Sequence, residues 1–219
     1  MLKRAGILFV IVGTVLILSA LSLFLYNQYV DEQAGKEAES LLADLQSIME
    51  EEGTTDTTPV DVESVSPAET EPTEPLDPEL PVVELDGYDY VGYISIPALE
   101  LELPIMSEWN YERLRIAPCR QFGSSRTDDL VIAAHNYKTH FGSLNRLSVG
   151  DRVTFTDVDG GINEYIVAKS EVLQPTQVEA VQNSGYALVL YTCTRGGATR
   201  VVVFCHRVEG EEASDVSSE

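Results

Sequence analysis

From Ala5 to Tyr26 the chain runs for twenty-two residues without a charge, built chiefly from Leu, Ile, Val and Phe. At about 1.5 Å of rise per residue, a helix of that length crosses a hydrocarbon core of roughly 30 Å. Lys3 and Arg4 precede the run and acids follow from Asp31 onward. The positive-inside rule therefore places residues 1–4 in the cytoplasm, a single-pass anchor over 5–26 and everything after it outside the cell membrane. The rival is a cleaved secretory signal, whose apolar region is usually only ~7 to 15 residues and ends in a small-x-small site. Ser19-Ala20-Leu21-Ser22 is a poor example of such a site, and the apolar run continues past it.

The 219 residues carry a formal charge of −22, unevenly spread. Eighteen carboxylates lie between Asp31 and Asp86 against the single base Lys36, and five more follow Val208. The segment from Gly87 to Val208 holds thirteen acids and eleven bases. Acidity thus belongs to a stalk and a tail, and says little about what a site in the body binds. With no basic patch interleaved with aromatics, nucleic acid is not an expected partner. With no C-x-x-C or H-x-x-x-H cluster, neither a metal nor a cofactor is expected.

Over the stalk, 27–52, Leu41, Leu42, Leu45, Ile48 and Met49 recur at helical spacing among Glu, Ala and Gln. Such a stripe fits either a partner helix or a plain extension of the stalk, and the second is preferred. Residues 53–86 form an acidic linker whose first part, Gly53 to Pro81, is rich in Thr, Glu, Pro and Ser. Too few apolar groups are available there to offset the entropy of ordering, so a disordered spacer is expected, holding the body at 87–208 away from the membrane. The tail, 209–219, is expected to be disordered for the same reason.

Within the body, strands are expected at Val91–Ile96, Leu101–Ile105 (with Pro104 suggesting an edge), Leu130–Ala134, Arg152–Thr156, Asn163–Ala168, Ala187–Tyr191 and Val201–Phe204. Only short helical pieces fit, around Tyr111–Leu114, Ser143–Leu147 and Val178–Val181. Seven or eight short strands in about 120 residues, with no long helices between them, argue for an all-β domain closed or nearly closed into a barrel.

The chemistry gathers at strand ends. Ala187–Tyr191 leads to Thr192-Cys193, a turn follows at Gly196-Gly197, and Arg200 opens the last strand. As an antiparallel hairpin, this sets a thiol and a permanent cation side by side at one rim, as a cysteine nucleophile requires. The bland alternative is a small core-filling cysteine and a solvated arginine. A proton-transfer partner must come from three histidines. His135 ends a buried strand as Cys193 does and ranks first; His140 is the substitute; His206 is expected to be an exposed strand-end residue. Arg195, in the turn, is the rival to Arg200. Outside a membrane, three cysteines imply either one free thiol plus a disulfide or three free thiols.

Three motifs resemble those of the sortases, the membrane-anchored cysteine transpeptidases of Gram-positive surfaces. Val91-Gly-Tyr-Ile-Ser-Ile-Pro97 looks like the family's opening strand, and Ala134-His135-Asn136 with Phe141-Gly-Ser-Leu144 like its histidine segment. Leu190-Tyr-Thr-Cys193 followed by Arg200 is similar to its cysteine and arginine signature. The resemblance covers about Tyr90 to Arg207. It implies a closed eight-stranded β-barrel with short helices, preceded by the transmembrane helix and disordered stalk, with Cys193, His135 and Arg200 as catalytic residues. Where the family often has Thr, this chain has Val189, a departure of little weight if that side chain faces the core. The short interval from Cys193 to Arg200 favours a class D-like assignment.

The resemblance further implies a reaction. The Cys193 thiolate would attack the Thr–Gly bond of a Leu-Pro-x-Thr-Gly-like sorting signal on a surface protein. His135 would serve as general acid and then base, and an amine of the cell wall or a pilin would take the acyl group. Arg200 suits the oxyanion, with the backbone N–H of Thr194 as a second donor. Val178, Ala180 and Val181 are apolar enough to receive a Leu-Pro pair, or else form one turn of helix packed on the barrel. Asn136 and Thr192 would position the histidine or the peptide. Two other readings compete: a wall-associated cysteine peptidase with water as acceptor, and a non-catalytic membrane-tethered β-domain.

Overall fold

The computed structural model describes residues 2–53 and 78–208. Most of the expected linker (54–77) and the acidic tail (209–219) lie outside the described residues. Helix α1 is continuous from Leu2 to Gly53, and its two halves differ. In the first half Ile7, Phe9, Leu16, Phe24 and Tyr26 are all exposed, on a helix long and apolar enough to cross a membrane. In the second half Ala34, Ala38, Leu41, Leu42 and Leu45 are buried, spaced so that one face carries them all. That face lies against strands β1 (Val83–Leu85) and β3 (Leu101–Met106). The approach is close: a Cβ on Gly35 would stand 2.6 Å from Cγ2 of Thr139, so a larger residue would have to displace that side chain. Asp31 accepts from the N–H and hydroxyl of Thr139 at 3.3 and 3.0 Å.

This corrects the expected stalk. The Leu stripe neither extends freely nor waits for a partner helix, because the barrel offers it an apolar surface within the same chain. The linker also ends earlier than residue 86. Leu80 is buried in the core, and β1 pairs with Tyr88–Tyr90. The linker therefore joins two points on one body, so its length does not set a distance from the membrane.

Eight strands close a ring: β2 (Tyr88–Ile96), β3, β4 (Cys119–Phe122), β5 (Leu130–Ala134), β8 (Leu188–Cys193), β9 (Arg200–Arg207), β7 (Ile162–Leu173) and β6 (Arg152–Asp157), which pairs back onto β2. Beside β1, this is the expected eight-stranded barrel. Period-two alternation sends Ile94, Ile96, Leu130, Ile132, Leu188, Leu190 and Val203 inward. Phe141, and Leu144 at the start of the short helical turn Leu144–Arg146, join the same core. Pro104 is buried opposite Tyr93, on a stretch of β3 that β4 reaches only at Met106, and α1 lies against that strand. Of the expected helical pieces, the structure has one-turn elements at Arg113–Arg115, Leu144–Arg146 and α2 (Glu179–Gln182). All three cysteines are free.

Candidate active site

Strand register brings the three candidate residues together. In the parallel β5–β8 pair the last partners are Ala134 and Thr192, so His135 and Cys193 leave their strands side by side. In the antiparallel β8–β9 pair Cys193 lies directly opposite Arg200. Directly opposed residues share a face of the sheet. That face is the outside of the barrel, shared with Val131, Val189, Val202 and Phe204, over which Leu173, Val181 and Tyr186 pack. Val189 is buried, but in this outer layer; its partner across β9 is Phe204, so it does not face the barrel core.

Cys193 is half-buried and lines an open cleft of about 700 Å³ with Asn136, Ser143, Thr194 and Arg195. His135, also half-buried, lines an adjoining cleft, and the two share Asn136, Lys138 and Arg195 as walls. The Tyr137 ring stacks on the His135 imidazole at 3.9 Å and 17°. Burial pushes the His135 pKa below its ordinary value, and a side-chain hydrogen bond with Asn136 opposes that. Its buried Nδ1 has no hydrogen-bond partner.

His140 is a different kind of residue. It is fully buried, both ring nitrogens lack partners, and burial pushes its pKa down to about 4, so it is neutral at pH 7. A ring sealed in this way packs the loop and cannot reach a substrate. His206 is exposed beside Tyr186 at the far end of β9.

The Arg200 guanidinium donates to the carbonyl oxygens of Gly197 and Thr199 at 3.0 and 3.1 Å, closing its own turn. It lines a narrower groove of about 180 Å³, together with Trp109, Tyr111, Val178, Val181 and Tyr191. Val178 and Val181 are three apart and share a face of the α2 turn. Ala180 falls on another side, exposed and absent from the groove, which corrects its expected role. Thr194 is corrected too: its N–H donates to Thr199 O at 3.0 Å to close the β8–β9 turn, so no proton is left for an oxyanion. Thr192 is buried and its hydroxyl donates to Ala134 O at 2.9 Å, holding β8 against β5 just before His135. Asn136 donates to Thr194 O at 3.5 Å, joining the histidine loop to the cysteine loop. Glycine is required at 142, where a Cβ would meet the carbonyl oxygens of Asn136 and Tyr137 at 2.5 and 2.6 Å.

Sequence reading missed Trp109, Tyr111 and Gln121. Gln121 accepts a hydrogen bond from the Tyr191 hydroxyl beneath the groove. The available signal was the sole tryptophan of the chain, two residues from a tyrosine in an otherwise polar segment. Among the described residues no group of three or more His, Cys, Asp or Glu is arranged to hold a metal ion. The arrangement offers a partly exposed thiol, an imidazole with a lowered pKa and a guanidinium on one sheet face, beside a groove walled by Trp109, Tyr111 and Tyr191.

A family model described as the sortase domain matches residues 94–208. Among solved structures, sortase C1 of Streptococcus agalactiae is 26% identical with a TM-score of 0.50, covering 58% of this chain and 72% of that one. Sortase A of Corynebacterium diphtheriae is 21% identical with a TM-score of 0.51, covering 57% and 64%. Sortase C1 of GBS pilus island 1 is 23% identical with a TM-score of 0.47, covering 57% and 66%. The chain thus spans just under two thirds of the length of these last two structures. No curated protein sequence matches it.

Proposed function

From the premise that the chain belongs to the sortase family, we propose that it is a membrane-anchored cysteine transpeptidase acting on sorting-signal peptides of surface proteins. The observation that carries this reading is the register of β5, β8 and β9, which sets His135, Cys193 and Arg200 on neighbouring strand ends of one face.

The chemistry runs in two halves. The Cys193 thiolate adds to the carbonyl carbon of a Thr–Gly bond, the C–N bond breaks, and His135 as imidazolium gives its proton to the departing amine. A thioester between Cys193 and the threonine remains. An amine of cell wall or pilin then adds to that carbonyl, gives its proton to His135, and the C–S bond breaks to return the thiolate. Arg200 serves the oxyanion in both halves, its fork turning from the Gly197 and Thr199 carbonyls to the substrate oxygen. Val178 and Val181 give the apolar contacts for the Leu-Pro part of the peptide, and Asn136 orients His135. The apolar half of α1 is the single membrane span, with the barrel on the extracellular side.

The test uses the full chain in detergent, a Leu-Pro-x-Thr-Gly peptide and a glycine-based amine. The expected product is the ligated peptide. Cleaved acid alone would make the protein a peptidase, and no reaction in the presence of a thiol-reactive Cys193 would leave a tethered β-domain.

A further inference from the structure

The cleft beside His135 has walls of unlike origin. One wall is α1 at the end of its apolar half, through Phe24, Tyr26, Asn27 and Asp31; the other is the barrel, through His135, Tyr137, Arg115, Lys138 and Arg195. The cleft is open and about 800 Å³. It is also cationic, on an acidic protein. In a chain of 36 acids and 14 bases, Arg115, Lys138 and Arg195 converge here, and Arg146 lines the adjoining cleft. Among the described residues Asp31 is the only acid lining either cleft, and its carboxylate accepts from Thr139. Arg115, Lys138 and Arg195 are exposed, and among the described residues no salt bridge to a carboxylate is found for any of them.

The depth of this cluster follows from the helix. Asp31, where α1 first bonds to the barrel, is five residues past Tyr26, a rise of about 8 Å. Exposed Phe24, Tyr26 and Tyr29 surround the same level, as aromatic side chains do where hydrocarbon meets headgroups. Three exposed cations beside the end of the apolar half are therefore presented to lipid phosphate, which guanidinium and ammonium groups recognise by charge and hydrogen bonding.

We propose that Arg115, Lys138 and Arg195 form a binding site for the phosphate-bearing headgroup of an anionic membrane phospholipid, which seats the barrel on the bilayer beside His135. This rests on reading α1 as the membrane span. It assigns the cleft a ligand that is neither the sorting peptide nor the acyl acceptor.

The experiment places the full chain in nanodiscs of phosphatidylcholine, with and without phosphatidylglycerol, and follows amide hydrogen exchange of peptides covering 135–142 and 193–198. The expected result is exchange slowed at least threefold by phosphatidylglycerol. That slowing should vanish in Arg115→Gln/Lys138→Gln/Arg195→Gln and persist in Lys36→Gln/Arg152→Gln/Lys169→Gln, which removes equal charge elsewhere. Equal exchange in the two disc types, or equal loss in both triple variants, overturns the site. Slowing by inorganic phosphate added to phosphatidylcholine discs overturns the lipid assignment in favour of a free anion. Co-migration of chain and disc reports the span separately, and ligation by the same samples reports the enzyme reading, so each can fail alone.

Discussion

Alternate residues of one strand lead different lives in this protein. On β8, Leu188 and Leu190 point into the barrel core, while Val189, Tyr191 and Cys193 point to the outer layer and its groove. Strand β9 repeats the division, with Val201, Val203 and Cys205 inward and Arg200, Val202 and Phe204 outward. The lesson is that parity confines the chemistry: the inward residues fill the barrel core, while the outward set forms a second packed layer that gives way to the clefts only at the rim, at Cys193 and Arg200.

The strongest test of that division is Cys193→Ala. Transpeptidation should fall at least ~10³-fold, because the thiols of Cys119 and Cys205 are fully buried, while the melting temperature stays within about 2 °C. Ligation assays and thermal unfolding on one preparation measure both. Its inward neighbour should behave oppositely: Leu190→Ala should cost about 2–5 kcal/mol in denaturant unfolding, with activity per folded molecule largely kept.

His140 tests the division at the loop that follows β5. As pH falls from 6.5 toward 4, the unfolded chain takes up a proton that folded His140 refuses. Stability should therefore be complete above 6.5 and drop by about 3 kcal/mol by pH 4. The lowered pKa of His135 adds to this in the same direction. His140→Phe should flatten that acid limb while leaving the pH profile of ligation in place. The smallest effect is expected at Thr192, inward but one step from the chemistry. Thr192→Val strands the Ala134 carbonyl at a cost of about 1–2 kcal/mol, and should reduce kcat more than KM by loosening His135.

What the sequence disclosed follows the same division. Apolar runs at Leu130–Ala134, Ala187–Tyr191 and Val201–Phe204 announced the strands, whose ends bring the candidates Cys193, His135 and Arg200 to neighbouring positions, because inward burial leaves a strong periodic trace. Strand β4 left none: Cys119-Arg-Gln-Phe122 is mixed in character and is held by β5 and by a single parallel bridge from Met106 to Cys119. The segment between those two residues carries Trp109 and Tyr111 to the groove and β4 itself carries Gln121, a placement that no periodicity announced and only the lone tryptophan hinted at. Thr194 shows a second limit, since whether a backbone N–H is free depends on how a turn closes. The Leu stripe of α1 showed a third: periodicity announces that a face will be covered, and says nothing about by what.

Because α1 grips the barrel so soon after leaving its apolar half, the helix acts as a ruler. With its apolar half as the proposed membrane span, it would fix the height of Cys193 above the bilayer. A client would have to bring its scissile bond down to that level, so the selection of clients would begin with where they sit, before any side chain is read.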